Sequence, residues 1–348
     1  MTRHSVLHLA ASAAWGGAEQ MAETLRAECE RAGWETRLEL PFDHSVRWEA
    51  ATPRRVSWWR WALKQHGPGE IVHAHLPWPD RVGPALIAAR GRPLVVTFQL
   101  LPPPDGWPRD RCFHIPSKRM LSLAGSMRDR VRWVALSRAD ARTLEALLGV
   151  RVTIVRNAPP AATKQPDPAP WPEGVLRVLS VGRLDRQKGF DAMLTALAAP
   201  EVKRLAWHWN IIGEGPERPT LSAQIRALGL EDRVTLLGAR PGIDGFCRAE
   251  LLLAPSRFEG MPLVPLEAAE ASVPVLASTI APHEELYERV PECLLDRDAR
   301  AWPAALARWL SDADLRARMR LAQREVLGEN PRRAMFSAYE SLYRELLG

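Results

Sequence analysis

Cysteine is scarce: Cys29, Cys112, Cys247 and Cys293 are the only four in 348 residues. They lie between 46 and 135 residues apart, which makes neither a CxxC redox pair nor a zinc knuckle. A chain this long needs no disulfide staples, so they read as free thiols of a reducing compartment. Long apolar runs are also missing. None approaches the ~20 residues that span a bilayer, which excludes an integral helical membrane protein. Low-complexity blocks are missing too: 30 prolines and 22 glycines are spread without period, which argues against fibrous and disordered classes. There is no GxSxG, HExxH or Walker A sequence. A leader-like start (Arg3, His4, then apolar residues from Val6 to Ala14) is broken by His8 and fits a strand-turn-helix better than a signal peptide.

What is present looks globular, with 46% hydrophobic and 25% charged residues, and the length suggests two domains at ~150 residues each. The charge is uneven. Residues 1–160 carry 23 Lys and Arg against 15 Asp and Glu, and the remainder carries 24 against 26. A basic half beside a near-neutral one suggests that the first half meets something anionic. Within it, Arg54-Arg55-Val56-Ser57-Trp58-Trp59-Arg60-Trp61 and Lys64 interleave cations and indoles, and basic positions continue at Arg109, Arg111, Lys118, Arg119, Arg128, Arg130 and Arg132. Three readings fit this stretch: a helix with its tryptophans in the core, an anionic membrane surface, and, less favoured, single-stranded nucleic acid.

Short apolar runs alternate with helix-like stretches. Strands are expected at Ser5–Ala10, Thr36–Leu40, Ile71–His75, Pro93–Phe98, Trp133–Leu136 and Val152–Val155, with a helix over Glu19–Ala32 ended by Gly33. The proline-rich stretch Asn157–Gly174 has no hydrophobic period and marks a domain boundary. The alternation then restarts with Leu176–Val181, His208–Ile212, Val234–Leu237, Leu251–Ala254 and Val273–Ala277. This predicts two tandem doubly wound, Rossmann-like α/β domains facing a central ligand cleft. The expected boundaries are 1–160, 161–330 and a terminal helical segment, 331–348.

Two segments carry the chemistry. Arg257-Phe258-Glu259-Gly260-Met261-Pro262-Leu263-Val264-Pro265-Leu266-Glu267-Ala268 follows a strand and opens a helix, setting two carboxylates eight residues apart around a helix start. The unsatisfied N–H groups there suit a phosphate or a polyhydroxylated ligand, and the carboxylates could accept from sugar and ribose hydroxyls. A dipole-favoured Glu259 and a solvated Glu267 is the plain alternative. Val181-Gly182-Arg183-Leu184-Asp185-Arg186-Gln187-Lys188-Gly189-Phe190 ends another strand with two cations able to neutralise a diphosphate, or else forms a solvated loop. Asp296-Arg297-Asp298 has the DxD form of some metal-dependent enzymes, but an N-cap before Trp302 explains it more simply.

Taken in order, these segments resemble the retaining GT-B glycosyltransferases of the GT4 type, the glycosyl transferases group 1. The counterparts are Trp15-Gly16-Gly17-Ala18-Glu19, Gly182-Arg183-Leu184 with Lys188-Gly189 and Asp191, Gly213-Glu214-Gly215-Pro216, and Glu259 to Glu267. The resemblance covers about residues 5 to 280. It implies that Gly16, Gly17 and Gly213 approach the donor with backbone, that Arg183 and Lys188 hold its diphosphate, and that Glu259 holds the sugar. Gly260, Met261, Leu263 and Val264 would line the donor site, Glu267 would hold the ribose, and His75 would contact the sugar near the reacting carbon. Pro262, which lacks an N–H, and Gln99, where members often have histidine, depart from the pattern.

The resemblance further implies a metal-independent transferase with no cofactor. It would take a nucleotide-sugar donor, most commonly a UDP-sugar, with GDP- or ADP-sugars within the family's range. The acceptor would be a saccharide or lipid-linked saccharide, used in bacterial surface polysaccharide or lipopolysaccharide synthesis from the cytoplasm or the inner membrane face. Rivals are a sugar phosphorylase or nucleotide-sugar epimerase of the same fold, a transferase of secondary metabolism, and a non-catalytic basic lipid- or RNA-binding protein.

Overall fold

The computed structural model describes residues 4–10, 16–40, 58–64, 66–76, 82–101, 129–161, 171–240, 246 and 248–348. Trp15, Arg54, Arg55, Cys112, Cys247 and the basic positions from Arg109 to Arg128 lie outside them. The chain divides into two compact units, Met1–Pro160 with Asn330–Gly348, and Ala161–Glu329. Among the described residues no helix is long and apolar enough to cross a membrane.

Unit 1 is built on a six-stranded sheet, β1 (Ser5–Ala10), β2 (Glu35–Glu39), β3 (Ile71–Leu76), β4 (Leu94–Phe98), β5 (Val131–Ala135) and β6 (Thr153–Ile154). All pairs are parallel and the order is β2-β1-β3-β4-β5-β6. β3 is buried along its whole length, which its apolar run requires of a strand covered on both faces. Helix Gly17–Arg31 turns Met21, Ala22, Leu25 and Cys29 inward, and the chain leaves it through Gly33 in the left-handed region. The terminal helix Pro331–Leu347 buries Phe336, Tyr339, Leu342 and Tyr343 within this unit.

Unit 2 has a five-stranded parallel sheet, β7 (Leu176–Val181), β8 (Trp207–Ile212), β9 (Val234–Gly238), β10 (Leu251–Ala254) and β11 (Val275–Ala277), in the order β11-β10-β7-β8-β9. Both orders are doubly wound, unit 1 in the flavodoxin manner and unit 2 in the Rossmann manner. Each sheet therefore has one switch point, between β1 and β3 in unit 1 and between β7 and β10 in unit 2. There the chain leaves neighbouring strands toward opposite faces and opens a crevice at their carboxyl ends.

Boundaries shift for local reasons. β5 starts at Val131 instead of Trp133, because the Arg132 backbone pairs with Val95 while its guanidinium meets Glu345 at 3.2 Å. β11 starts at Val275 instead of Val273, since Pro274 has no N–H for the ladder and gives only its carbonyl, to Leu252. Cys29 and Cys293 are buried free thiols, each pushed up to about 12 first by that burial. Asp298 caps the turn before Trp302, accepting from the Arg300 N–H at 3.0 Å.

Candidate functional site

The two loops at the unit 2 switch point bring the sequence-selected side chains together. After β7, Asp185 caps the short turn Arg186–Lys188, and Gly189, at φ 68, redirects the chain into helix Phe190–Leu197. After β10, residues 255–262 lead into helix Leu263–Glu270. Across this junction Lys188 Nζ lies 2.5 Å from Glu259 Oε1. The same oxygen accepts from Ser256 Oγ at 2.8 Å, and Gln187 Nε2 donates to the Phe258 carbonyl at 3.0 Å and to Glu259 Oε2 at 3.4 Å. With 20% and 10% of their side chains exposed, Lys188 and Glu259 form a largely desolvated pair, costly to break by removing one partner.

A second clamp ties the loops together outside this pair. Arg257 donates in a fork to both carboxylate oxygens of Asp191, each at 2.7 Å, and to the Arg186 carbonyl at 2.7 Å. Burial pushes the Asp191 carboxyl up, but the Arg257 fork outweighs it and holds it below the usual range. Arg183 is more than half exposed, 3.3 Å from Asp185, so its guanidinium faces outward at the end of β7. A cavity of about 20 Å³ lies at the junction, with Lys188, Ser256, Glu259 and His283 among its lining.

Other expected residues take different places. Glu267 is the fifth residue of helix Leu263–Glu270, just over one turn in, because the helix starts only after Pro262, which caps it without a side-chain bond. Met261 and Leu263 are core residues, so only their backbone can face a ligand, and Val264 is half-buried. Gly260 is buried. Gly213 is explained by packing within unit 2: a Cβ there would sit 1.8 Å from the Gly182 carbonyl oxygen.

In unit 1, Gly16 and Gly17 are exposed at the start of helix Gly17–Arg31, beside the β1–β3 switch point. The Gly16 N–H is held by Glu19 Oε2 at 2.8 Å, and the Gln20 N–H closes the first turn onto the Gly16 carbonyl at 3.0 Å. His75 comes from β3 at the same switch point, but its ring is 1% exposed and belongs to a buried histidine core. Its Nε2 lies 3.2 Å from His8 Nδ1, and its ring stacks on that of His73 with centroids 4.0 Å apart. His73 engages Tyr343 Oη at 2.6 Å and Thr97 Oγ1 at 2.8 Å. One ring nitrogen of each histidine lies within 4.8 Å of the others, a spacing open to metal ligation. His73, however, already has a partner on both nitrogens.

That core sets an acid limit. Burial pushes His8 and His73 well below their ordinary value and His75 down to about 3. Below pH ~6.5 the unfolded chain takes up protons that these native rings refuse, so stability falls with pH until the native rings themselves titrate. Each histidine contributes up to ~1.4 kcal/mol per pH unit. Urea titrations between pH 7.5 and 5 should show this loss, and His8→Phe should remove about one histidine's share; a pH-independent midpoint would contradict the account.

Sequence reasoning missed Ser256 and His283. Ser256 could have been found by its place three residues before Glu259, within reach of the carboxylate. His283, alone in a helix start, gave no signal.

Residues 162–326 match the family model described as glycosyl transferases group 1. The lipopolysaccharide core biosynthesis mannosyltransferase LpsB of Rhizobium meliloti is 31% identical over 183 residues, 47% of this chain and 51% of LpsB. The chain thus spans about half the length of this curated relative. Among solved structures, sucrose-phosphate synthase from Thermosynechococcus elongatus has a TM-score of 0.75 at 18% identity, covering 99% of each chain. Anabaena HepE, solved in complex with UDP and glucose, has a TM-score of 0.68 at 18% identity, covering 98% of this chain and all of HepE. These likenesses show the fold, which is GT-B.

Proposed function

We propose, from the match of residues 162–326 to the glycosyl transferases group 1 model, that this chain moves a sugar from a nucleotide-sugar to a hydroxyl of a saccharide or lipid-linked saccharide, with retention. The observation that carries the reading is the Lys188–Glu259 pair, formed at the β7–β10 switch point from two segments 71 residues apart. A switch-point crevice is where doubly wound sheets bind nucleotides. Here it holds a cation suited to a diphosphate and a carboxylate suited to sugar hydroxyls. Arg183, exposed beside them, adds a second cation.

In this proposal Lys188, Arg183 and the first-turn N–H groups of Leu263 and Val264 receive the diphosphate, Glu259 the sugar and Glu267 the ribose. Gly260 and Met261 approach with backbone, and Gly16 and Gly17 offer the helix start in unit 1. Gly213 serves by letting the β7 and β8 ends pack. His75 is given no sugar contact, because its ring is buried among His8 and His73. The bond from the anomeric carbon to the diphosphate breaks as the acceptor oxygen bonds on the same face, and the leaving diphosphate oxygen takes the acceptor proton. Fixed cations meeting that developing charge supply the main lowering of the barrier. No metal is needed for this step. UDP-sugar is the favoured donor, supported by the UDP in the HepE structure, and surface polysaccharide or lipopolysaccharide the favoured destination, supported by LpsB.

The test is proton NMR of the product formed from α-linked UDP- and GDP-sugars with saccharide acceptors in EDTA. An α-linked product is expected. A β-linked product would overturn retention, and turnover that needs inorganic phosphate or runs without acceptor would favour the phosphorylase or epimerase instead.

A further inference from the structure

His283 stands at the start of the short helix after β11, fully buried, and neither the family motifs nor the mechanism above uses it. Its Nδ1 lies 2.8 Å from the Ser278 carbonyl oxygen, which can only accept. The proton is therefore on Nδ1, and Nε2 carries a bare lone pair. Burial holds the ring below its ordinary pKa, so it stays neutral in this tautomer. Among the described residues Nε2 is buried and has no hydrogen-bond partner.

The ring also belongs to the donor junction. Ser278 Oγ donates to the Ser256 carbonyl at 2.5 Å, and Ser256 Oγ donates to Glu259 Oε1 at 2.8 Å, so a continuous chain of bonds joins His283 to the ion pair. His283 lines the same cavity as Lys188 and Glu259, and its charge state is coupled electrostatically to both. Of the side-chain acceptors lining that cavity, Glu259 Oε1 already takes Lys188 and Ser256, the Ser256 hydroxyl is oriented by the proton it gives to Glu259, and among the described residues His283 Nε2 takes no donor. A diphosphate that draws the Lys188 ammonium off Glu259 Oε1, or a sugar hydroxyl that takes its place there, leaves an ammonium N–H that needs a further acceptor.

We propose that His283 is a positioning residue of the donor site, and that its Nε2 accepts a hydrogen bond from the Lys188 ammonium when ligand draws Lys188 and Glu259 apart. The device lets both charged groups turn to ligand without leaving a buried N–H unpaired. It rests on the donor-site reading of the preceding section.

Calorimetry with UDP, GDP, ADP and dTDP tests it on wild type, Lys188→Ala, His283→Phe, His283→Gln and His283→Asn, each first shown to melt cooperatively. Glutamine can set an oxygen near the Nε2 position, whereas asparagine can keep the bond to Ser278 but offers nothing at Nε2. Whichever nucleotide binds wild type should bind His283→Phe and His283→Asn about tenfold more weakly, the size of one hydrogen bond to a charged group. His283→Gln should stay within about threefold. With nucleotide-sugar the loss should appear in KM more than in kcat. Wild-type affinity in His283→Asn, or an equal loss in the Gln and Asn variants, would overturn the proposal and leave His283 a packing residue. Failure of all four nucleotides to bind wild type would overturn the donor-site reading itself.

Discussion

Replacing Lys188 by alanine is expected to lower kcat/KM for sugar transfer by two to three orders of magnitude, roughly the cost of removing one preorganised charge-stabilising group from an active site. The Lys188 side chain is 20% exposed, so water compensates poorly for its loss, and its ammonium lies 2.5 Å from Glu259. Glu259→Gln should cost a similar factor, because it removes the charge that orients Lys188. Groups that act as a unit give non-additive losses. The double variant should therefore fall little below either single one. Steady-state kinetics on the three variants, with thermal melts to confirm folding, checks this. Multiplied losses would show that the two side chains act independently.

Gly189→Ala should destabilise unit 2 by about 3 kcal/mol or more, from a left-handed backbone and a steric collision together. At φ 68, a Cβ on residue 189 would lie 2.1 Å from the Pro255 carbonyl oxygen, which is backbone and cannot swing aside. Gly229→Ala is the control within the same unit. It is also left-handed, at φ 60, but its nearest neighbour is the flexible Lys203 ammonium at 3.5 Å, and strain alone should cost ~1 kcal/mol. For a unit of this size each kcal/mol lowers the melting temperature by about 2–4 °C. Gly189→Ala should thus melt at least about 6 °C lower, several degrees below Gly229→Ala. Equal melting points would mean that the Lys188 and Glu259 loops are not locked together at Gly189. Because Gly189 directly follows Lys188, the change should also weaken nucleotide binding.

Much of this was legible in the sequence. β1, β7 and β10 formed at the residues their apolar runs mark, since a strand covered on both faces must be apolar throughout. The segments holding Lys188 and Glu259 were readable because glycine, cation and carboxylate follow strand ends at distinctive spacing. What could not be read was pairing. That β10 lies beside β7, with 69 residues between them, is a property of strand order, and the switch point exists only through that order. The Arg257–Asp191 fork and the chain of bonds to His283 depend on it in the same way. His75 shows the converse. Its motif position suggested a ligand contact, whereas packing against His8 and His73 places it in the core.

The most direct test of the central claim, that the β7–β10 junction is a diphosphate site of a nucleotide-sugar enzyme, is thermal unfolding in EDTA with millimolar UDP, GDP, ADP or dTDP. A ligand present at about 100 times its dissociation constant adds roughly 2.7 kcal/mol of stability. One of the four should raise the wild-type melting temperature visibly, and Lys188→Ala should respond much less. No shift with any of them, with or without added Mg²⁺, or an undiminished shift in Lys188→Ala, would contradict the claim.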